Sequence, residues 1–234
     1  MFVKEIHRRL QELGNQGRAI VLQRFFKTGP GEYGEGDVFL GIRVPELRKL
    51  AKIYQHITIK EAGQILNSSI HEQRLLALFI LVRKYLRGNE IQRKAIYDLY
   101  LKNTRFVNNW DLVDGSAGHI VGAFLMGKDK KPLYRLSKSK NLWERRISIM
   151  ATFHFIKQDQ FSETFRIAKT LLTDEEDLIH KAVGWMLREV GKRHMPAEEK
   201  FLKEHYRKMP RTMLRYAIER FPETKRQMYL KGKI

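Results

Sequence analysis

An all-α fold, an α-solenoid of paired helices with a concave basic groove, is predicted by three features of the sequence. Apolar residues recur at spacings of three and four along most of the chain, and no stretch alternates as a half-buried strand would. Short turns carrying Gly88-Asn89, Gly127, Asn141, Thr173-Asp174 and Pro210 separate the periodic segments. A basic residue also recurs beside an aliphatic run, at Arg74, Arg146, Lys181 and Arg215, the last three about 35 residues apart. A helix-pair period of that size suits a HEAT- or armadillo-type array, whose second helices line one concave surface. A cation at one phase of those helices would line that surface with positive charge. A single irregular helical bundle is the alternative.

Taken in order, the periodicity predicts helices over Phe2–Leu13 and Gly17–Lys27, with Val3, Ile6, Leu10 and Leu13 on one side of the first. The segment Thr28–Asp37 is rich in glycine but lacks the Gly-Lys-Ser/Thr ending of a phosphate loop and follows a helix, so a mobile loop is expected. Pro45 and Glu46 suit the first turn of the next helix, Pro45–Gln55. Further helices are expected over Ile59–Leu66, Ile70–Arg87, Glu90–Leu101, Trp110–Met126, Lys131–Ser137, Leu142–Ile156, Gln160–Leu172, Glu176–Arg193, Ala197–Lys208, Arg211–Arg220 and Thr224–Leu230. The whole chain, 1–234, reads as one domain.

Composition narrows the function. Against 26 acidic residues stand 45 Lys and Arg, a net charge of +19, which favours a polyanionic partner and above all nucleic acid. Aromatic residues make up 11% of the chain and are interleaved with the cations, so this is no disordered basic tail. No apolar run approaches the roughly 20 residues that cross a bilayer, and the start lacks a signal-peptide core. The absence of cysteine excludes disulfides and thiolate chemistry and fits the cytoplasm. No metal site, cofactor or membrane partner is expected, and a monomer is the default.

Three stretches carry chemistry. In Asn108-Asn109-Trp110-Asp111-Leu112-Val113-Asp114-Gly115, Asn109 is a good N-cap and Asp111 suits the positive end of the helix. Trp110 and Asp114, four apart, share a face, at the border of an apolar stripe of Val113, Ala117, Ile120, Phe124 and Leu125. Gly115, Gly118 and Gly122 leave another face bare, which close helix packing would also explain. Over Glu176–Arg193, Ile179, Ala182, Val183, Met186, Leu187 and Val190 form the apolar face. Lys181, Trp185, Arg188 and Lys192 follow one another at spacings of four, three and four, away from that face. An indole among cations can stack on a neighbouring helix or Arg, or meet a nucleic-acid sugar or base, and the flanking cations suit phosphates. In Leu142–Ile156, Arg146 lies among apolar residues and needs an anion, an internal carboxylate such as Asp114 or a phosphate. His154 has no partner at ligand spacing, which leaves a packed or phosphate-touching histidine.

The blocks Trp110-Asp111-Leu112-Val113-Asp114, Trp143-Glu144-Arg145-Arg146 and Lys181-Ala182-Val183-Gly184-Trp185-Met186-Leu187-Arg188-Glu189 resemble, in order and spacing, those of the AlkD-type DNA alkylation repair glycosylases. Phe39-Leu40-Gly41-Ile42-Arg43-Val44-Pro45 is similar to that family's segment after its second helix. The resemblance spans nearly the whole chain. It implies a HEAT-like solenoid that cradles duplex DNA and hydrolyses the N-glycosidic bond of cationic alkylated purines, N3-methyladenine and N7-methylguanine, with the lesion left largely stacked.

Carried across block by block, Asp114 is the catalytic carboxylate, Trp110 and Trp185 wall the deoxyribose, Arg146 anchors a backbone phosphate and Arg188 is a secondary contact. Lys181, Lys192, His154 and Arg74 complete the expected DNA-binding set. Asn109 stands where the family pattern has a second tryptophan, His154 where it has a lysine and Phe25 where it has a tyrosine. A non-catalytic paralogue that binds branched or damaged DNA is the alternative function, and a HEAT scaffold for a protein or an acidic membrane surface is a third.

Overall fold

The computed structural model describes residues 2–234 and is helical throughout. The helices are α1 (Phe2–Leu13), α2 (Gln16–Phe25), α3 (Val44–Ile53), α4 (Ile59–Leu66), α5 (His71–Arg87), α6 (Glu90–Lys102), α7 (Trp110–Asp114), α8 (Ala123–Leu125), α9 (Lys131–Ser137), α10 (Leu142–Ile156), α11 (Ser162–Thr170), α12 (Asp177–His205), α13 (Arg211–Ala217) and α14 (Glu223–Leu230). The only extended pairing among the described residues is an isolated parallel bridge between Val38 and Ile70. No described helix is long and apolar enough to cross a membrane. The chain falls into two compact units that meet in sequence at Ile120 and Val121.

Local chemistry sets most helix starts. Thr58 and Asn89 each accept a bond from the backbone three residues on, while Glu61 and Gln92 reach back to the cap N–H. Asn15 and Asn141 cap α2 and α10. Pro45 sits in the first turn of α3, and Glu46 accepts from the Arg43 N–H at 3.0 Å.

In the first unit α5 is the hub, with α3, α4, α6 and α7 packed on it. It is buried on every side from His71 to Leu81, although only Leu75–Leu81 is apolar all round and its first turn is polar. Ile6 and Leu10 seat α1 with their predicted face inward. The Thr28–Asp37 segment departs from the expectation of a mobile loop. Glu32 and Glu35 accept from the N–H groups of Gly29 and Gly31, the Gly34 N–H bonds to the Lys27 carbonyl, and Asp37 is buried. Its acids satisfy backbone donors that a free loop would leave to water.

The expected helix Trp110–Met126 is broken. Five residues of α7 give way to a turn and a π-helical segment, Gly118–Gly122, before α8. Close packing accounts for one of its glycines. A Cβ on Gly122 would lie 2.1 Å from the Ala151 carbonyl oxygen of α10.

In the second unit α10 packs on α8, α9, α11 and α12, and α12 packs on α13. Arg145 ties the start of α10 to the turn before α12 through Asp174, at 2.6 Å. The helix α12 is kinked at His194 (φ −150°, ψ 84°), two residues before Pro196. This is where the sequence separates Glu176–Arg193 from Ala197–Lys208, because proline lacks the N–H and clashes with the preceding turn.

Past the kink, Glu198 is 1% exposed and fills the space left by Gly191, where a Cβ would sit 1.7 Å from its Oε2. Burial, with the Glu199 charge beside it and Arg188 pulling the other way, pushes the Glu198 carboxyl up to about 9. The folded state therefore holds a proton that the unfolded chain releases near 4.5, so stability falls as pH rises from there to about 9. Glu198→Gln should raise Tm by at least about 3 °C at pH 8 and leave it unchanged near pH 4.5, read by thermal unfolding at both pH values.

Candidate active site

The short helix α7 carries the first pair of predicted residues. Its cap is as expected: Asn109 is fully buried and its Oδ1 accepts from the Trp110 N–H at 2.8 Å. Trp110 and Asp114 lie one turn apart on it, both half-buried, above buried Leu112 and Val113. The Trp110 ring stacks on Phe26 (5.2 Å between centroids, 15°), Phe26 on Phe39 (5.0 Å, 22°) and Phe39 on His71 (4.4 Å, 21°). Phe25, 62% exposed, meets Trp110 edge-on at 6.0 Å. Beneath Asp114 lies Tyr100, fully buried, its hydroxyl 2.9 Å from Ser116 Oγ. Burial, helped by the Asp114 charge and opposed by the Ser116 bond, raises the Tyr100 hydroxyl far above its ordinary range and keeps it protonated.

The same helix is fastened by residues that sequence reasoning missed. His71, at the start of α5, is 1% exposed and lies between two carboxylates. Its Nδ1 is 3.1 Å from Asp37 Oδ2 and its Nε2 is 2.8 Å from Asp111 Oδ2. Asp37 also takes Arg74 Nη2 at 2.5 Å and the Asn109 side-chain amide at 3.2 Å. Burial pushes the Asp37 carboxyl up, but the His71 bond, the Arg74 charge and Asn109 outweigh it and hold it below the usual carboxylate range. Burial pulls His71 down, yet the Asp111 charge and the bonds to Asp111 and Asp37 leave it raised despite Arg74. Asp111 is thus an ion-pair partner as well as a helix-start acid. His71 gave no signal in the sequence, and Asp37 looked like one of several acids in a glycine-rich loop.

Arg74, expected among the DNA-binding cations, is buried. It is 3% exposed, neutralised by Asp37 and bonded to the Ser68 carbonyl. The recurring cations also lack a common environment, since Arg74 and Arg146 are buried while Arg215 is exposed. Beside Arg74, buried Glu72 accepts from the N–H groups of Leu40, Gly41 and Ile42 at 2.9, 2.7 and 3.2 Å. This pins the Phe39–Pro45 segment singled out in the sequence, where Gly41 takes φ +80°.

The second unit holds the other predicted residues. Arg146 of α10 is 4% exposed and donates to the Leu178 carbonyl at the start of α12. Along α12, Lys181, Trp185, Arg188 and Lys192 follow their predicted spacing, but each has an acid. Lys181 pairs with Asp177 (2.6 Å), Lys192 with Glu189 (2.6 Å) and Arg188 with Glu219. Trp185 is half-buried, donates from Nε1 to Glu189 at 3.0 Å and lies 6.1 Å from Phe153. His154 is half-buried next to Phe153, and its Cβ is part of the close contact with Gly122.

The profile of one family, described as DNA alkylation repair enzyme, matches residues 6–221. The chain belongs to that family. Among solved structures, one described as a predicted DNA alkylation repair enzyme from Enterococcus faecalis has a TM-score of 0.68 at 18% identity, over 90% of this chain and 97% of that one. AlkD2 from Streptococcus mutans has a TM-score of 0.54 at 20% identity, over 88% of this chain and 97% of its own. The smu.31 protein from Streptococcus mutans UA159 has a TM-score of 0.53 at 21% identity, over 77% and 93%. No curated protein matches the sequence. These likenesses place the chain among the helical-repeat folds of this DNA repair family.

Glu72→Gln would turn one amide N–H against a backbone donor in the Leu40–Ile42 cradle. It should cost about 1–3 kcal/mol of stability, measured by denaturant unfolding, with the pitch of the Phe39–Pro45 segment loosened in amide exchange.

Proposed function

We propose that this member of the family is a monofunctional DNA glycosylase, which hydrolyses the N-glycosidic bond of cationic N-alkylated purines, N3-methyladenine and N7-methylguanine, in duplex DNA. The carrying observation is the half-buried carboxylate of Asp114 on the same helical face as Trp110, in a chain matched by the repair family over residues 6–221. An alkylated purine already bears positive charge and leaves as a neutral base, so no second carboxylate is needed to protonate it. The remaining tasks are to stabilise an oxocarbenium-like sugar and to hold the attacking water. Asp114 would do both. At 4 Å, opposite unit charges attract by about 4 kcal/mol at an effective dielectric near 20, enough for a few powers of ten in rate. The indole of Trp110, beside Asp114, would add cation–π stabilisation as the sugar becomes positive.

In this reading the second unit supplies backbone contacts through Arg146, Lys181, Arg188, Lys192 and His154. The pairing of Lys181 and Lys192 with acids does not oppose this, because solvent-exposed ion pairs are worth little and can yield an arm to phosphate. No lysine is assigned a Schiff-base role, and an abasic site is the product. A second reading, binding of branched or damaged DNA without cleavage, draws on Asn109, which is fully buried where the family pattern has a second tryptophan.

Purified protein should release N7-methylguanine from methylated duplex DNA, measured by chromatography of the freed base. Asp114→Asn should lose release by at least about 100-fold while keeping DNA affinity within about 2-fold. Binding without release in the wild type would replace the enzyme reading by the second one. Removing Lys181 and Lys192 together as glutamines should shallow the slope of log Kd against log salt by about two counterions. An unchanged slope would take both off the phosphate list.

A further inference from the structure

We infer that His71, doubly protonated between Asp37 and Asp111, is the positioning residue of the catalytic helix: it holds α7 in the register that presents Trp110 and Asp114, and loss of its proton releases that helix. The inference rests on the glycosylase reading only for the consequence to the reaction rate; the clamp itself can be tested without it.

Five residues of α-helix make barely more than one turn, and a piece so short has no independent stability. Its position must come from what it is fastened to. Three successive residues at its start are fastened to one cluster: Asn109 to Asp37, Trp110 to the ring stack ending on His71, and Asp111 to His71 itself. His71 takes part in two of these links, and through Asp37 in the third.

Both ring nitrogens face carboxylate oxygens. A neutral imidazole can donate from only one nitrogen, and its other lone pair would then point at an anion. The doubly protonated ring donates to both. The charges agree: Asp37 and Asp111 are balanced by His71 and Arg74, the charged groups that face the ring from the loop, from α7 and from α5 itself. Glu72, next in sequence, is turned away to the Leu40–Ile42 backbone. Phe39 stacks on the ring and Phe26 lies tilted against it, and neither brings a charge. Removing the proton leaves one buried negative charge without a counterion and a repulsive contact at either Asp37 or Asp111. The helix α7, too short to hold its own register, takes the consequence on the Asp111 side.

A route for the proton exists. His71 and Asp111 line a cavity of about 610 Å³, with Arg43 and Val44, both exposed, at its rim. The raised basicity of the ring fits its place between the two acids and puts the change above the ordinary histidine range.

The test has two arms. In single-turnover release of N7-methylguanine from methylated duplex DNA between pH 6 and 10, the wild-type rate should fall as the pH passes the His71 titration, with Kd for the DNA held. His71→Gln should lower the rate by about 10–100-fold with Kd within about 2-fold, and remove that step from the profile. Asp111→Asn, which keeps His71 but takes away one of its carboxylates, should move the step down by about one pH unit or more. A residue that merely stabilises the fold would lower Tm and leave the step where it was. That outcome in either variant overturns the inference, so it stays exposed even if His71→Gln does not fold.

The second arm needs no activity. The nitrogen resonances of His71 should report a doubly protonated ring at pH 7. The amides of Val113 and Gly115, bonded to the carbonyls of Asn109 and Asp111, should lose exchange protection as it titrates. A neutral ring at pH 7, or α7 amides indifferent to its titration, overturns the clamp. Absence of release by the wild type with this NMR signature intact refutes the glycosylase and leaves the clamp standing.

Discussion

A histidine between two aspartates, deep in the first unit, is the interaction on which the candidate site depends. The chain carries a surplus of 19 positive charges, yet here Asp37 and Asp111 meet on His71 at the start of α5, with buried Glu72 next to it in sequence. Buried anions of this kind persist only when every one of them is met, because desolvation otherwise exceeds what the fold can offset. His71 and Arg74 meet two of them as ions, and three backbone N–H groups meet the third. The same residues that neutralise the cluster also join three chain segments distant in sequence: the glycine-rich loop, the Phe39–Pro45 segment and α7. A polar cluster therefore does, for these segments, what apolar packing does along the flanks of α5.

Charge is handled differently in the second unit. There the cations of α12 lie at the surface and pair with acids one turn away or on the next helix. Such pairs differ in kind from the His71 cluster, since water and salt compete for each partner. Asp177 and Glu189 keep Lys181 and Lys192 extended without holding them strongly, and a phosphate, bearing a full charge and several acceptor oxygens, is a better partner than either. The net charge of the chain overstates its local field along α12. What is left is ordered, half-exposed cations at regular spacing, beside an indole whose N–H already has an acceptor.

How much of this was legible follows from how far each signal reaches along the chain. Periodicity placed α1, α4, α5 and α10 within a residue or two, and the break between Glu176–Arg193 and Ala197–Lys208 falls at the His194 kink, because helix period and proline are local signals. The face shared by Trp110 and Asp114 followed from one helical turn. The π-helical segment did not, since glycines at 115, 118 and 122 suit close packing and irregular backbone equally. The clamp was out of reach: His71 meets residues 34 and 40 positions away, and no periodicity reports such a pairing. The burial of Arg74 was out of reach for the same reason. Arg74 shares a phase with Arg146, but an aspartate in a loop that reads as surface decides its environment.

The two units, different as they are in their charges, respond to pH with the same sign on the alkaline side. His71, raised by its acids, contributes stability that is complete below its unfolded value of 6.5 and is lost as pH climbs through its folded one. Glu198, raised by burial, is neutral in the fold and opposes folding more strongly as the unfolded chain ionises above 4.5. Asp37 pulls the other way, as do the more exposed Glu61, Asp159, Asp177 and Glu223, their contributions vanishing as pH falls through their lowered values. His71 and Glu198 together therefore weaken the fold as pH rises toward base. Ionisation of Glu198 puts an unpaired anion beside the Gly191 backbone just past α12's kink, whereas loss of the His71 proton unfastens a helix of five residues. The first weakens a packing contact, and the second reaches the carboxylate proposed to do the chemistry.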